Sequence, residues 1–523
     1  MKILNGDQAA QLDRLSIRKH GISAAALMAR AARACAEALH RRLQPKSKIV
    51  IVAGPGNNGG DGLAMAGELA GRGHSVQVYC HGGPEKYSPE ARGYYEKARP
   101  FLQPPARLPA ALHVADAVVD AIFGIGLKRP VAGAIAKSLK AMNRAKAFKL
   151  AVDMPSGVSA DSGEALGEAF RADLTVTFET PKRGQVLPPA WDHVGRLEVA
   201  PIGLSAAELR RMKTDAEWVD EKFAATFLKP RSLGSNKGRS GKVWVLAGSK
   251  TMPGAGYLCA RSALRAGAGL VTWALPEDAH RRIDLRYAEV MLFPFENFSA
   301  LGAKLAAADA VAVGPGWGRG AAAGAFLRSW LGCRRPPTVF DADALNLLAE
   351  IPSAMKSLRP RDVLTPHWKE MSRLAGIPLA EIAEDPWRRA REFARRRRCL
   401  LVLKGYRSLI ATPEGRLYVN SSGGPNLATG GAGDVLTGLI AGLIAQGLKP
   451  AAAAVVGVFL HGQAGDRLAQ TKGDRGTLAS DLTELWPALI KDLLSRPPLQ
   501  KGNRRDLTQA SHSKGGPNFC GDL

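Results

Sequence analysis

The chain has 523 residues, enough for two to four domains at roughly 100–200 residues each. Apolar residues make up 46% and charged ones 23%, ordinary globular usage that excludes wholesale disorder and a fibrous repeat. Lys plus Arg number 72 against 47 Asp plus Glu, a net charge of +25, which points to anionic partners without choosing among nucleic acid, acidic lipid and phosphorylated small molecules.

The six cysteines (Cys35, Cys80, Cys259, Cys333, Cys399, Cys520) follow no C-x-x-C spacing and have no paired histidine nearby. They read as reduced, buried small hydrophobes rather than a zinc site. The opening MKILNGDQAAQLDRL has no apolar run, so it is not a signal peptide. The longest apolar stretch, 437–460, is interrupted by Gln446, Lys449 and Pro450, and each half is too short to span a bilayer. The expectation is a soluble, cytoplasmic protein with no membrane partner.

Taken in chain order, Ser23 is a candidate N-cap for a helix with small or apolar residues at Leu27, Ala31, Cys35, Ala38 and Leu39. KIVIVA at 48–53 reads as a buried strand running into GPGNNGGDG (54–62), then a helix, then the strand SVQVYC at 75–80. Strand, Gly-rich turn, helix and strand is the unit of a parallel α/β sheet. The alternation continues through 116–126, 148–157 and 172–179 and stops near Ile202. A second alternation follows Lys229-Pro230, with strands expected at 241–249, 269–276, 310–316, 337–345, 362–367 and 399–405, then a pair within 408–420. A small-residue helix at 433–447 follows the densest glycine cluster, GGPNLATGGAGD. The fold class is therefore α/β in two domains, joined near 205–230, and the polar, aperiodic stretch from 496 onward reads as a disordered tail.

Gly54, Gly56 and Gly59 satisfy G-x-G-x-x-G between a strand and a helix, where glycine lets backbone approach a pyrophosphate on the helix N-terminus. The acidic residue that would hold a ribose about 20 residues later is absent, which argues against a standard nicotinamide oxidoreductase. The run Asn57, Asn58, Gly59, Gly60, Asp61 carries more polar equipment than a tight turn needs, and Asp120 and Asp153 also close strands. Any one of these aspartates can be a turn-former; three strand ends together argue for a site at the carboxyl edge of the sheet.

These motifs, N-N-G-G-D-G, V-D-A-I-F-G-x-G and D-x-P-S-G, resemble those of the bifunctional NAD(P)H-hydrate repair enzymes, an epimerase fused to an ADP- or ATP-dependent dehydratase. The resemblance covers about 1–495 and implies an N-terminal Rossmann-like three-layer sandwich (1–218) and a C-terminal ribokinase-like domain (219–495), followed by the tail 496–523. It implies that Asn57, Asn58, Gly59, Gly60 and Asp61, with Gly124, Ile125, Gly126, Leu127, Lys128, Arg129 and Pro130, line the hydrated dinucleotide. Asp153 is then the substrate-contacting proton-transfer group, and Asn58, Asp120 and Ser156 are ligands of a bound K⁺.

In the second half, Gly430-Gly431-Ala432-Gly433-Asp434 precedes an apolar helix. Successive N–H groups at such a terminus form an anion hole, and Asp434 is placed to take a proton from a hydroxyl attacking a phosphate, unless it serves only as an N-cap. No G-x-x-x-x-G-K-[ST] occurs, so this is not a P-loop enzyme. The loop resembles that of the ribokinase-like superfamily, and GPGWG (314–318), DADALN (341–346), TPHWKEM (365–371) and LKGYRSLIA (403–411) narrow the resemblance to its dehydratase branch. That implies contacts of Ala255, Gly316, His367 and Asp434 with the hydrated nicotinamide, and of Lys404, Gly405, Tyr406, Arg407, Ser408 and Gly433 with the adenine nucleotide. The C6 hydroxyl would be phosphorylated by ADP with Mg²⁺ bridging the phosphates, Asp434 as base and Lys404 neutralising charge. Trp368-Lys369 stands where the family usually has Pro-Gly, and Ala432 where Ser or Thr is often found.

The arginine run Arg388, Arg389, Arg391 and Arg395 to Arg398 sits on an expected helix, and with aromatics at only 6% it reads as a solvated helix face rather than a nucleic-acid surface. The charge excess stays larger than dinucleotide and ADP substrates require. A homo-oligomer is expected. Two rival readings stand beside the repair enzyme: a ribokinase-like kinase with an inert partner domain, and a nucleotide-binding scaffold without turnover.

Overall fold

The computed structural model describes residues 1–214, 216–281, 283 and 289–495. The expected tail, 496–523, lies outside the described residues. The chain divides into two compact units, one of Lys2–Thr214 and one that starts at 215 and includes Met1. The second unit thus begins four residues before the expected boundary, because the strand Ala216–Val219 pairs into the second sheet.

In the first unit, α1 (Gly6–His20) and α2 (Ala24–His40) precede β1 (Lys48–Ala53), α3 (Asn57–Gly71) and β2 (Ser75–Cys80). Ser23 caps α2, its Oγ accepting from the Ala26 N–H at 3.1 Å. Then come β3 (Ala117–Ala121), α4 (Gly133–Arg144), β4 (Phe148–Val152), β5 (Leu174–Phe178) and β6 (Arg196–Ala200). The sheet is parallel, in the order β2-β1-β3-β4-β5-β6. Strand side chains alternate between faces: Ile49, Ile51 and Val119 pack under α2 and α3, while Val50, Val52 and Val118 pack against Leu139 and Met142 of α4. Both faces are therefore covered, which is why the strands read as continuous apolar runs. β6 has no such run, and its partly exposed edge position explains why it is not among the strands expected before the alternation stops near Ile202.

The second unit opens with β7 (Ala216–Val219) and continues through β8 (Lys242–Leu246), α5 (Pro253–Arg265), β9 (Leu270–Pro276), β10 (Met291–Phe295), β11 (Ala310–Val313), β12 (Thr338–Phe340) and β13 (Val363–Leu364). There follow α6 (Trp368–Ala375), α7 (Pro386–Arg397), β14 (Leu400–Leu403), β15 (Leu409–Ala411), β16 (Leu417–Asn420), α8 (Ala432–Ala445), α9 (Pro450–Lys472) and α10 (Ala479–Leu494). The strand order is β10-β9-β8-β11-β12-β13-β14-β15-β16-β7, parallel except where β15 runs against β14 and β16. The apolar stretch 437–460 is two helices separated at the Lys449-Pro450 step, and no helix among the described residues is long and apolar enough to cross a membrane.

The small residues of α5 and α8 let these helices touch backbone to backbone. A Cβ on Gly438 would fall 2.0 Å from the Cys259 carbonyl oxygen, so only glycine fits. Ser262 Oγ ties the pair by donating to the Val435 carbonyl at 2.6 Å. This clamp fixes the direction of α8, whose N-terminus carries the expected anion loop.

Candidate active sites

In the first unit the expected residues gather at the carboxyl edge of the sheet. β1 runs into α3 through a turn in which a Cβ on Gly59 would sit 1.8 Å from the Gly54 carbonyl oxygen. Glycine is thus required for the helix to start against the turn, leaving N–H groups of its first residues without intrahelical partners. Asn57 is exposed while Asn58 is buried, and Asn58 Oδ1 lies 3.5 Å from the position of a Cβ on Gly124. Asp120, fully buried near the end of β3, accepts from Ser156 Oγ at 2.6 Å, from the Ser156 N–H at 2.7 Å and from the Ile122 N–H at 3.2 Å. Burial pushes its carboxyl up to about 6 despite these bonds. Of the loop Gly124 to Pro130, Ile125 and Leu127 pack inward, whereas Gly126, Lys128, Arg129 and Pro130 are exposed.

Asp153 follows β4 in the left-handed region (φ 61°), a strained placement that short polar residues tolerate best. Its Oδ1 accepts from Lys182 Nζ at 2.6 Å and from Thr177 Oγ1 at 2.9 Å, and Gln185 Nε2 donates to its carbonyl at 2.6 Å. The Lys182 side chain is 4% exposed, so this ion pair is dry. Two further carboxyls face it. Burial pushes Asp61 well above the usual carboxylate range, with Asp153 and Asp13 adding to the rise. Asp13 on α1 is pushed up to about 6, by burial first, with Lys182 opposing. Three carboxyls thus stand around one buried ammonium, two of them, Asp13 and Asp61, raised toward their protonated forms. Sequence reading missed Lys182, Thr177, Gln185 and Asp13, none of which belongs to a glycine motif.

In the second unit Gly431 (φ 86°) is the N-cap of α8 and makes no side-chain cap, so Asp434 lies inside the first turn and is not the N-cap. Burial pushes the Asp434 carboxyl up to about 7, Asp341 raising it further and Lys404 opposing. Asp341, buried at the end of β12, accepts from Lys404 Nζ at 2.7 Å and from Thr437 Oγ1, one turn beyond Asp434, at 2.8 Å. Burial disfavours the Lys404 charge, but Asp341 and Glu370 reverse that effect and raise it. A Cβ on Gly433 would lie 3.2 Å from Lys404 Nζ, which places the anion loop, Lys404, Asp341 and Asp434 in one cluster. His461 of α9 is half-buried with Nε2 3.0 Å from the Ala432 carbonyl oxygen, and desolvation pushes it down to about 4, so it is a neutral donor supporting the loop from below.

His367 is half-exposed and caps α6: its Nδ1 accepts from the Glu370 N–H at 3.1 Å while Glu370 Oε2 accepts from the His367 N–H at 2.8 Å. This assigns the proton to Nε2, the nitrogen free of the cap. Trp368 packs its Nε1 2.8 Å from where a Cβ on Gly405 would be, so the residue that departs from the family pattern packs against the expected nucleotide loop. In that loop Ser408 Oγ donates to the Gly405 carbonyl at 2.9 Å, and Tyr406 is exposed. Arg407 is buried, donating to the Ser421 carbonyl at 2.7 Å and lying over the rings of Trp218 and Tyr406. Its guanidinium is thus committed to the protein interior, unlike the other cation of the segment, Lys404. Ala255 and Gly316 meet each other, with a Cβ on Gly316 2.9 Å from that of Ala255, and Gly318 N–H donates to Asp343 at 2.8 Å, joining this pair to the Asp341 loop.

Two family models match the chain. One described as YjeF-related protein N-terminus covers 24–184, and one described as NAD(P)H-hydrate dehydratase covers 243–488. Among curated proteins, the chain is 38% identical over 518 residues to the bifunctional NAD(P)H-hydrate repair enzyme Nnr of Moorella thermoacetica, covering 94% of this chain and 97% of that protein. It is also 38% identical over 479 residues to the enzyme of the same name from Coxiella burnetii, covering 91% and 96%. Among solved structures it is similar to the ADP/ATP-dependent NAD(P)H-hydrate dehydratase of Bacillus subtilis co-crystallised with ATP/Mg²⁺, at 28% identity and a TM-score of 0.46, covering 53% of this chain and 98% of that one. Matched end to end by such relatives, with each family model falling on the half that carries the corresponding polar site, the chain belongs to the bifunctional NAD(P)H-hydrate repair enzymes.

Proposed function

We propose that the first unit interconverts the R and S forms of hydrated NADH and NADPH, and that the second dehydrates the S form at the expense of ADP. The observation that carries this reading is a carboxylate beside an ammonium at each sheet edge: Asp153 with buried Lys182, and desolvated Asp434 near the partly buried Lys404.

Epimerisation requires the carbon bearing the hydroxyl to lose and regain its configuration, with a proton moved on and off the attached heteroatom. In this reading Asp153 carries that proton, supported by Lys182 and Thr177, which hold its carboxylate, and by Asp13 and Asp61, which take up the charge change. Asn57 to Asp61 and Gly124 to Pro130 bind the dinucleotide, with exposed Lys128 and Arg129 toward its phosphates. Asn58, Asp120 and Ser156 fit K⁺: Asp120 is a fully buried carboxylate with no ammonium or guanidinium bound to it among the described residues. The ion would supply the positive charge that keeps this carboxylate ionised and the two loops together.

In the second unit Asp434 takes the proton of the C6 hydroxyl as its oxygen attacks the β-phosphorus of ADP, breaking the bond to the bridging oxygen and releasing AMP. The N–H groups of the Gly431–Gly433 loop and Lys404 stabilise the charge on the transferred phosphoryl group. The phosphate then leaves with the C–O bond electrons, the neighbouring ring carbon gives up a proton, and the dihydropyridine is restored. Ala255, Gly316 and His367 line the nicotinamide end, and Lys404, Gly405, Tyr406, Arg407, Ser408 and Gly433 the adenine nucleotide, Arg407 through its backbone. The excess of carboxylates over Lys404 suits Mg²⁺, which would neutralise the phosphate oxygens.

The test is recovery of reduced-nicotinamide absorbance from a mixture of both NADH-hydrate epimers with Mg²⁺ and either ADP or ATP. Full recovery, faster with ADP, is expected. Recovery that stops at the S fraction would remove the epimerase assignment. A stable phosphorylated alcohol in place of NADH would favour a kinase with an inert partner domain.

A further inference from the structure

The arginine run that the two active sites leave unused lines a cleft of about 400 Å³ at the far end of the second sheet. The run is on α7, whose last residue Arg397 is followed by Arg398 in the left-handed conformation and then by β14. The opposite wall is Lys356 and Arg359, on the segment leading into β13. β13 and β14 pair in parallel, so these residues stand at the amino ends of two neighbouring strands. Lys404 and His367 follow the carboxyl ends of the same strands. Arg398 and Lys404 are six residues apart through β14, about 20 Å at 3.3 Å per residue, so the cleft is separate from the nucleotide site.

Five cations meet here: Lys356, Arg359, Arg396, Arg397 and Arg398. Among the described residues no carboxylate lines the cleft and none of the five forms a salt bridge, although Arg359 Nη2 donates to the Cys333 carbonyl at 2.5 Å. The nearby carboxylate, Asp362, is buried beneath and already paired with buried Arg335. The partial negative charge at the end of α7 offsets about half a unit charge, far less than five cations bring. Arg397 Nε is buried with no partner among the described residues, and burial together with Arg396 holds that guanidinium below its usual value.

We infer that this cleft binds a small, multiply charged phosphate anion, a chain of two or three phosphoryl groups of a nucleotide or of inorganic polyphosphate. Guanidinium groups present paired N–H donors that match phosphate oxygens, and three arginines on one wall with Arg359 and Lys356 on the other suit a chain of them. The size of the cleft suits such an anion and excludes a duplex.

The test is calorimetric titration of the full chain with tripolyphosphate in Mg²⁺-free buffer, using wild type and the double variant Arg396→Gln, Arg398→Asn. Both side chains are exposed, and Asn accepts the left-handed conformation at 398, so the variant keeps the fold. The expected result is a site that weakens with added NaCl and loses about ten-fold or more in affinity in the variant, while dehydration without added anion proceeds at the wild-type rate. Equal affinity in the two proteins would place the binding elsewhere, and no binding by wild type would remove the site; either overturns the inference. A single-stranded RNA 20-mer that binds wild type more tightly than tripolyphosphate and is lost in the variant would replace the small anion with a polynucleotide. ADP competing with tripolyphosphate for this site, against orthophosphate failing to do so, would identify the nucleotide source.

Discussion

Replacing Asp434 by Asn tests the second site through two observables of opposite sign. The Asp434 carboxyl is pushed up to about 7, first by burial and then by Asp341. Its ionised form is the base, so dehydration should rise with pH through about 7, and at pH 6 kcat/KM should be about a tenth of its plateau. The variant should lose about 10²–10⁴-fold, the usual worth of a positioned base, and with it the acid limb. Stability should move the other way. In the unfolded chain the carboxyl ionises near 3.8, so between that value and about 7 the folded protein holds a proton the unfolded one has released, and wild-type stability falls as pH rises through this window. A rise from 3.8 to about 7 corresponds to about 4 kcal/mol, which partial exposure and screening reduce to about 1–3 kcal/mol. Asn escapes this cost, so the variant should melt a few degrees above wild type at pH 8, with the gain fading as pH drops toward 4. A single-turnover assay across pH 5–9 and melting at pH 8 and 5 read the two effects. Wild-type turnover in the variant, or a wild-type acid limb near 4, would refute the assignment of the base.

Lys182→Met severs a dry ion pair and should destabilise the first unit by about 3–5 kcal/mol, abolishing conversion of purified R epimer while S-epimer dehydration continues; undiminished conversion would show that Asp153 acts alone. Asp120→Asn removes the buried charge that suits K⁺, so the epimerisation rate, which in wild type should fall when K⁺ is replaced by a bulky organic cation, should no longer respond to that exchange. Gly438→Ala forces a methyl to 2.0 Å from the Cys259 carbonyl and should cost about 1–3 kcal/mol in urea unfolding; an unchanged midpoint would contradict the backbone contact of α5 and α8.

The interior strands are legible because they are buried on both faces: KIVIVA appears at the expected residues because neither face tolerates a polar side chain for long. SVQVYC, a sheet edge with two of its six residues buried, is legible instead from its β-branched alternation beside the glycine turn. The strands that escaped, β6, β7 and β10, all lie at a sheet edge, and Met291–Phe295 also carries exposed residues and a proline that blur the pattern. β7 was hidden for a further reason: its partner β16 is about 200 residues later, and no local pattern records such a pairing.

The same contrast governs the sites. Glycine loops are visible because backbone approaching a phosphate or another strand excludes side chains from a run of consecutive positions, and consecutive positions are what a motif records. Counter-ions obey no such rule. Lys182 reaches Asp153 from 29 residues away, and Lys404 reaches Asp341 from 63, and each is in sequence one lysine among many. Burial singles out Lys182: a dry ammonium persists only where a carboxylate meets it, so a buried lysine identifies the carboxylate it serves. The arginine run inverts the lesson. It was conspicuous in the sequence and read as a solvated helix face, yet Arg396, Arg397 and Arg398 end at a cleft with two more cations opposite and no carboxylate in its lining. Composition could supply the charge excess but not its convergence, because Lys356 and Arg359 join the run only through the pairing of β13 with β14.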